Sequence, residues 1–313
     1  MFNDEHWQHK RGHIPRTPAA VDMQRPFDAK SFNFNKADPR EVILRVSLCG
    51  CTHAVLANIF PVMTGHTVVP LWPDQELPQG ALGRNGVRCM FEFAALSTRK
   101  DFRVVYNSPG AFSSVNHLHI HGVYAHKLDG DENCNSFPIE AAGRRPFAQA
   151  AGGVRISILS DDLFVRGFVF EGSLEALPHA VGSCVELLAS ASVPHNLLVH
   201  LSPSPACFLV PRQPQEFFDV VGAGCNAAVC EVCGFLVMQS EVAYEKLAVQ
   251  TTRQAFHAGV SLQQLEFDAL CQRCCKELHW RRVFSAWRVA AVVLATGALA
   301  VVAARLVKTR RLR

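Results

Sequence analysis

The 313-residue chain contains no phosphate loop of the form GxxxxGK[ST], so ATP-driven chemistry has no support in its sequence. It has no apolar leader either: residues 1–10 are polar and aromatic, so no secretory signal is expected. The twelve cysteines follow no small disulfide-scaffold spacing, which favours a reducing, cytoplasmic setting. Cys271-Gln-Arg-Cys274-Cys275 followed by His279 has the outline of a zinc cluster but no matching second pair, so partly buried helix cysteines are expected there. Acidic residues are absent from 281–313, which hold eight Lys and Arg. Residues 1–280 are left with 23 basic and 27 acidic groups, so the whole-chain charge of +4 hides a body of −4. A body of that sign is a poor nucleic-acid binder, and no nucleic-acid partner is expected.

What the chain does contain is an alternation of histidines. Residues 116–124 read Asn-His-Leu-His-Ile-His-Gly-Val-Tyr, downstream of the strand-like Phe102-Arg103-Val104-Val105-Tyr106. On a strand, residues two apart share a face, so His117, His119 and His121 would line one surface while Leu118 and Ile120 enter the core. Three readings follow: a metal site, a nucleophilic site and an exposed strip without chemistry. The outer two Cα atoms lie about 13 Å apart on an extended strand, too far for all three rings to reach one ion comfortably. Two rings could bind a metal with a ligand from elsewhere. The nucleophilic reading suits the spacing better. A central imidazole at His119 attacks phosphorus, His117 orients it or braces the strand end, and His121 contacts phosphate oxygens or the leaving group.

The loop before the triad adds phosphate donors. Asn107-Ser108-Pro109-Gly110-Ala111-Phe112-Ser113-Ser114-Val115-Asn116 is turn-rich. It offers the Asn107 and Asn116 amides, the Ser113 and Ser114 hydroxyls and backbone N–H groups beside Gly110.

These residues resemble the histidine-triad superfamily, whose motif alternates His with apolar residues on a strand. The resemblance narrows toward the GDP-D-glucose phosphorylase family. Arg25-Pro26-Phe27-Asp28 with Ser31-Phe32-Asn33-Phe34-Asn35-Lys36, the stretch from Phe102 through Gly122, and His195-Asn196-Leu197-Leu198-Val199 carry it. Glu231 and Gly234 add a Cys-Glu-x-x-Gly stretch similar to that family's carboxyl-terminal half. Plant GDP-L-galactose phosphorylase and, more distantly, galactose-1-phosphate uridylyltransferase carry Gln at the third triad position. His121 therefore favours the glucose-type branch. The resemblance implies phosphorolysis of a GDP-hexose by inorganic phosphate, with His119 becoming guanylylated and no cofactor or metal required. Its rivals are a hydrolase of the same superfamily and a non-catalytic, membrane-held nucleotide-binding protein.

Along the chain, residues 1–24 are expected to be disordered and 25–128 to form a first histidine-triad-like half with the catalytic strand. An irregular loop is expected at 129–153 and a second, degenerate half at 154–280. Strands are expected at 42–46, 54–60, 67–71, 154–159, 164–170, 195–201 and 206–211, and helices at 85–97, 174–190, 224–238 and 261–278. The order of strands plus helix occurs twice, so the fold class is α+β, an antiparallel sheet with helices built from two fused pseudo-repeats. His195 and Asn196 lie where a degenerate counterpart of the triad could fall, or are simply a strand-end pair. Sixteen uncharged residues at 289–304, between Arg288 and Arg305, approach the roughly 17–25 that span a membrane. A single hydrophobic helix at 287–307 is therefore expected to anchor the tail, leaving the catalytic part facing the cytosol.

Overall fold

A computed structural model describes residues 22–125, 135–160, 163–215 and 224–283. The first run of elements is β1 (Val42–Leu48), β2 (Cys51–Ala57), β3 (Thr67–Pro70), α1 (Gly83–Ala95), β4 (Phe102–Asn107) and β5 (His119–Tyr124). After a short helix α2 (Pro138–Ala141) the same order returns. It comprises β6 (Arg144–Gln149), β7 (Arg155–Leu159), β8 (Phe168–Glu171), α3 (Leu177–Ser190), β9 (His195–His200) and β10 (Ala206–Pro211). Helices α4 (Val229–Val232), α5 (Glu241–Glu245), α6 (Val249–Gly259) and α7 (Gln264–Glu277), then a two-residue β11 (Arg281–Arg282), complete the described chain.

The strands form one sheet in the order β1-β2-β3-β5-β4-β9-β10-β8-β7-β6-β11, with every ladder antiparallel. The seam is β4 against β9, where Val105 lies opposite Leu198. Outward from that pair, Val105 faces His121 on β5 and Leu198 faces Phe208 on β10. Thus β10, not β9, holds the place in the second run that the triad strand holds in the first, and His195 and Asn196 are not the counterpart of the triad.

Strand alternation divides the core between the two faces of the sheet. Val104, Tyr106, Ile120, Leu197 and Leu209 pack with α1, α3 and α7 on one face. Val105, Val123, Leu198, Phe208 and Val210 pack with α2, α4 and α6 on the other. Fully burying each such aliphatic or aromatic side chain is worth about 1.5–3 kcal/mol, so two layers give the sheet a core on both sides. His119 and His121 fall by parity on the second face.

Two expected segments are corrected. The segment at 224–238 is helical only over Val229–Val232. Gly224 and Gly234 adopt positive φ, and Cys225 bridges to Met238, so no continuous helix can form. The loop at 129–153 contains α2 and the strand β6, hidden in the sequence because Pro146 interrupts its alternation beside a register shift. Helix α6 was not expected. Cys271 and Cys274 are buried on α7, with the Cys274 sulfur 4.0 Å from that of Cys184. The segments at 1–21 and 287–307 lie outside the described residues. Among those described no helix is long and apolar enough to cross a membrane, so none supports the expected anchor.

Helices α1 and α3 touch through Gly182, where a Cβ would stand 2.7 Å from the Arg84 Cα. Backbone cannot yield as a flexible side chain can. Gly182→Ala should therefore cost about 1–3 kcal/mol, read as a lower urea midpoint at unchanged slope.

Candidate active site

A cavity of about 400 Å³ lies on the second face of the sheet, within the range of small-ligand sites. Its floor crosses four adjacent strands through Leu56, Val68, His121 and Val105, with Val68 and Val105 directly opposite His121 on either side. At about 4.8 Å per strand the floor is some 14 Å wide, enough for an extended nucleotide. One wall is the segment around Phe32 and Phe34, and the facing wall is residues 226 and 228–231.

His119 sits in this floor with 4 % exposure. Its Nδ1 is 2.7 Å from the carbonyl of His117, which fixes the proton on Nδ1 and leaves Nε2 as the lone-pair nitrogen of a ring that lines the cavity. Burial pushes its pKa down to about 4, opposed by the His117 carbonyl and assisted by the His117 ring, so the imidazole is neutral near pH 7.

The main chain of His119 is held by a group the sequence did not mark. The β4–β5 ladder ends at Val105–His121, and beyond it the buried side chain of Gln79 enters between the strands. The Gln79 amide donates to the carbonyls of Asn107 at 2.8 Å and His119 at 3.2 Å, and accepts from the His119 N–H at 2.9 Å. It replaces the missing rung of the ladder and satisfies buried backbone groups that would otherwise cost about 1–3 kcal/mol each.

His121 is half-buried, its ring 4.9 Å from that of His119 in an edge-on arrangement. Its Nδ1 is 3.1 Å from Nε2 of His66, whose Nδ1 accepts from the Val62 N–H at 3.2 Å. The Asn58 amide nitrogen lies 3.3 and 3.1 Å from the two ring nitrogens of His66, so that ring is held between Val62, Asn58 and His121. His66 thus joins His119 and His121 in the cavity lining, 55 residues upstream of His121 and invisible to a motif search.

His117 does not share the expected surface with His119 and His121. It precedes β5, is fully buried and does not line the cavity. Its ring packs against Phe27 and Phe34, with centroids at 5.0 and 5.9 Å, and its Nδ1 accepts from the Phe34 N–H at 3.1 Å. It therefore fastens the segment at 25–34 across the site. Gly110 also lies off the cavity, turning the loop at φ 73° while its carbonyl accepts from Gln215. Asn116 reaches the wall, but its amide already donates to Arg25 and Pro26 and accepts from Gln79. Asn107, Ser113 and Ser114 do face the cavity. Asn107 Oδ1 accepts from Asn196 at 2.7 Å and from the Val229 N–H at 2.9 Å, which leaves its NH2 for a ligand.

His195 repeats the local geometry of His119, with Nδ1 3.0 Å from the Val193 carbonyl and a pKa lowered by burial to about 4. It lies against Tyr106 on the helix-covered face and off the cavity, so it is a buried strand-start histidine.

This architecture is an α+β fold with a buried neutral imidazole on an antiparallel sheet beneath a cavity of small-ligand size. The solved structure of yeast Ap4A phosphorylase Apa2 in complex with Ap4A shares the fold, at TM-score 0.52 and 17% identity over 82% of this chain and 97% of that one. The chain belongs to the GDPGP1-like family: its N-terminal domain description matches residues 2–123 and its C-terminal domain description residues 138–280. GDP-D-glucose phosphorylase 1 of Bos taurus is 32% identical over 265 residues, 76% of this chain and 65% of the relative. The Danio rerio protein of the same name is 30% identical, covering 78% of this chain and 72% of the relative. GDP-L-galactose phosphorylase 1 of Arabidopsis thaliana is 26% identical, covering 74% and 57%. The chain spans just under two thirds of the length of the cattle relative.

Below pH 6.5 the unfolded chain protonates at both His119 and His195, whereas the folded rings resist until about pH 4. Stability should therefore fall as pH drops through that window, by up to about 3 kcal/mol per ring. Urea unfolding at pH 7 and pH 5 measures it, and His119→Asn should flatten part of the slope. Nitrogen-15 spectra at pH 7 should show His119 neutral with its proton on Nδ1.

Proposed function

We propose that the chain is a GDP-hexose phosphorylase of the nucleotidyltransferase type, converting GDP-glucose and phosphate to GDP and glucose 1-phosphate. The observation that carries this is the His119 ring, neutral, with Nδ1 held by the His117 carbonyl and Nε2 left for the cavity. The names of the relatives supply the substrate.

In the first step His119 Nε2 attacks the α-phosphorus. The N–P bond forms, the bond to the bridging oxygen breaks, and its electron pair leaves with glucose 1-phosphate. As the ring becomes cationic, the Nδ1–H bond to the His117 carbonyl strengthens, which stabilises the transition state. His121, whose ring lines the same cavity, contacts phosphate or leaving-group oxygen. The Asn107 NH2 and the groups of Ser113 and Ser114 stabilise the equatorial oxygens, where losing one such donor often costs about 100–1000-fold in rate. Phosphate then attacks the guanylyl-histidine and releases GDP.

The repeated β-β-β-α-β-β order supports reading the domain as two fused copies of one unit, the first within the expected 25–128 and the second starting at β6, ahead of the expected 154–280. Only the first keeps the histidines: Phe208 stands in β10 where His121 stands in β5.

Intact-protein mass spectrometry after mixing with GDP-glucose in phosphate-free buffer should show a GMP-sized adduct, absent in His119→Asn and discharged as GDP by added phosphate. No adduct in the wild type, or an adduct that persists in the variant, would sink the mechanism. Discharge by water alone at the same rate would make the protein a hydrolase. Gln79→Ala, which unties the His119 backbone, should slow adduct formation about 10–100-fold while GMP affinity changes little.

A further inference from the structure

The charges that line the cavity are unevenly committed. Three carboxylates belong to the lining, and each is already engaged. Asp28 accepts from the Lys30 N–H at 2.9 Å and from the Ser31 hydroxyl at 2.7 Å. Glu41 accepts from the Asp38 N–H at 3.4 Å, and Glu231 lies near the buried guanidinium of Arg212. Against them stands Arg25, the one lysine or arginine among the described residues of the lining. The residue is exposed, and its guanidinium makes no hydrogen bond or ion pair among the described residues. Its charge is the weakest of the influences that lower the Asp28 pKa.

Arg25 is nonetheless firmly placed by its main chain. Asn116 donates to the Arg25 carbonyl at 3.2 Å and to that of Pro26 at 2.8 Å, and the Phe27 ring packs on His117 at 5.0 Å. These contacts tie it to the chain that leads into His119 rather than to the apolar end at Ile59 and Phe60. The same stretch of chain carries spare donors. The Ser114 hydroxyl and the N–H groups of Ser113, Ser114 and Val115 have no partner among the described residues. The Ser113 hydroxyl, by contrast, donates to the Val115 carbonyl at 3.2 Å. A free guanidinium and a run of free N–H groups on two contacting segments are donors with a net positive charge. Their complement is a tetrahedral oxyanion.

We infer that Arg25 and the loop at 113–115 form the site of the inorganic phosphate that discharges the guanylyl-histidine, and so make phosphate rather than water the acceptor. The inference rests on the GDP-hexose reading above. An oxygen of the phosphate dianion attacks the α-phosphorus. The new O–P bond forms as the P–Nε2 bond breaks, and the electron pair of that bond returns to the His119 ring. No proton has to move, because the attacking oxygen carries none, whereas water would have to shed one. The dianion approaches a phosphoryl group that is itself anionic, and the Arg25 charge offsets that repulsion. In the first step the same place receives the phosphate that leaves with the hexose.

Guanylyl adducts of the wild type, Arg25→Ala and Arg25→Lys, formed with GDP-glucose and freed of nucleotide, are discharged by increasing phosphate. The second-order rate constant for phosphate should fall about 100-fold in Arg25→Ala. It should fall about tenfold in Arg25→Lys, which keeps the charge but not the two-pronged contact. The ratio of phosphate to water discharge should fall with it, and added methylguanidinium should restore part of that ratio to Arg25→Ala. Parallel loss of phosphate and water discharge, or an unchanged dependence on phosphate, would overturn the site. If Arg25→Ala forms too little adduct to isolate, phosphorus-31 linewidths report phosphate binding to His119→Asn with and without Arg25→Ala. Phosphate should bind about tenfold more weakly to the doubly substituted chain, and equal binding would count against Arg25. If the wild type forms no adduct while phosphate binding still depends on Arg25, the transfer reading fails and the phosphate site stands. If the adduct forms but its discharge ignores Arg25, the site fails alone.

Discussion

The contact between the His119 ring and the carbonyl two residues before it governs the rest of the site. It spans so few residues because β5 begins at His119, so the His117 carbonyl is released from the ladder and can turn toward the ring. The same strand start lets Gln79 enter beside Asn107, and it frees the His117 ring to receive the Phe34 N–H. Slipping the register of β5 by one residue would move His119 and His121 to the other face together. The tautomer, the grip on the backbone and the closure of the 25–34 segment thus share one local cause.

Burial does a second job, and His195 shows its limits. That ring has the same hydrogen bond to the carbonyl two residues back and the same lowered pKa as His119. Burial is the leading cause of the shift at both rings. What differs is the face: His195 meets Tyr106 under the helices, whereas His119 meets a cavity. A perturbed histidine becomes a candidate nucleophile only where the fold also leaves space for an electrophile.

Much of this was legible in the chain, because alternation carries its own geometry. The strand at 119–124, the burial of Leu118 and Ile120, the helices over residues 83–95 and 177–190, and the doubled order of elements follow from periodicity. What the sequence concealed falls into two physical kinds. Some elements break their own pattern, as β6 does at Pro146 and as 224–238 does at its glycines. Other groups act only through long-range contact. Gln79 lies 40 residues from His119, and His66 lies 55 from His121; no local spacing announces either. His117 was read as part of a working surface because period two places it there. It misses that surface because it lies before the first paired residue of the strand.

The two runs of strands are alike in order and unlike in chemistry, and the cavity lies on the first, walled on one side by residues 226–231. The first run supplies the imidazoles. The second has Ala206, Cys207 and Phe208 in β10, which build core and nothing else. Yet Asn107, the last residue of β4, is bonded both to Asn196 on β9 and to Val229, so its side chain is oriented from across the seam. Neither run could hold the site alone: the first lacks a wall on its inner side, and the second lacks a nucleophile. A sheet continuous through β4 and β9 fixes these unlike contributions within hydrogen-bonding distance of one another, and a flexible junction at that seam could not.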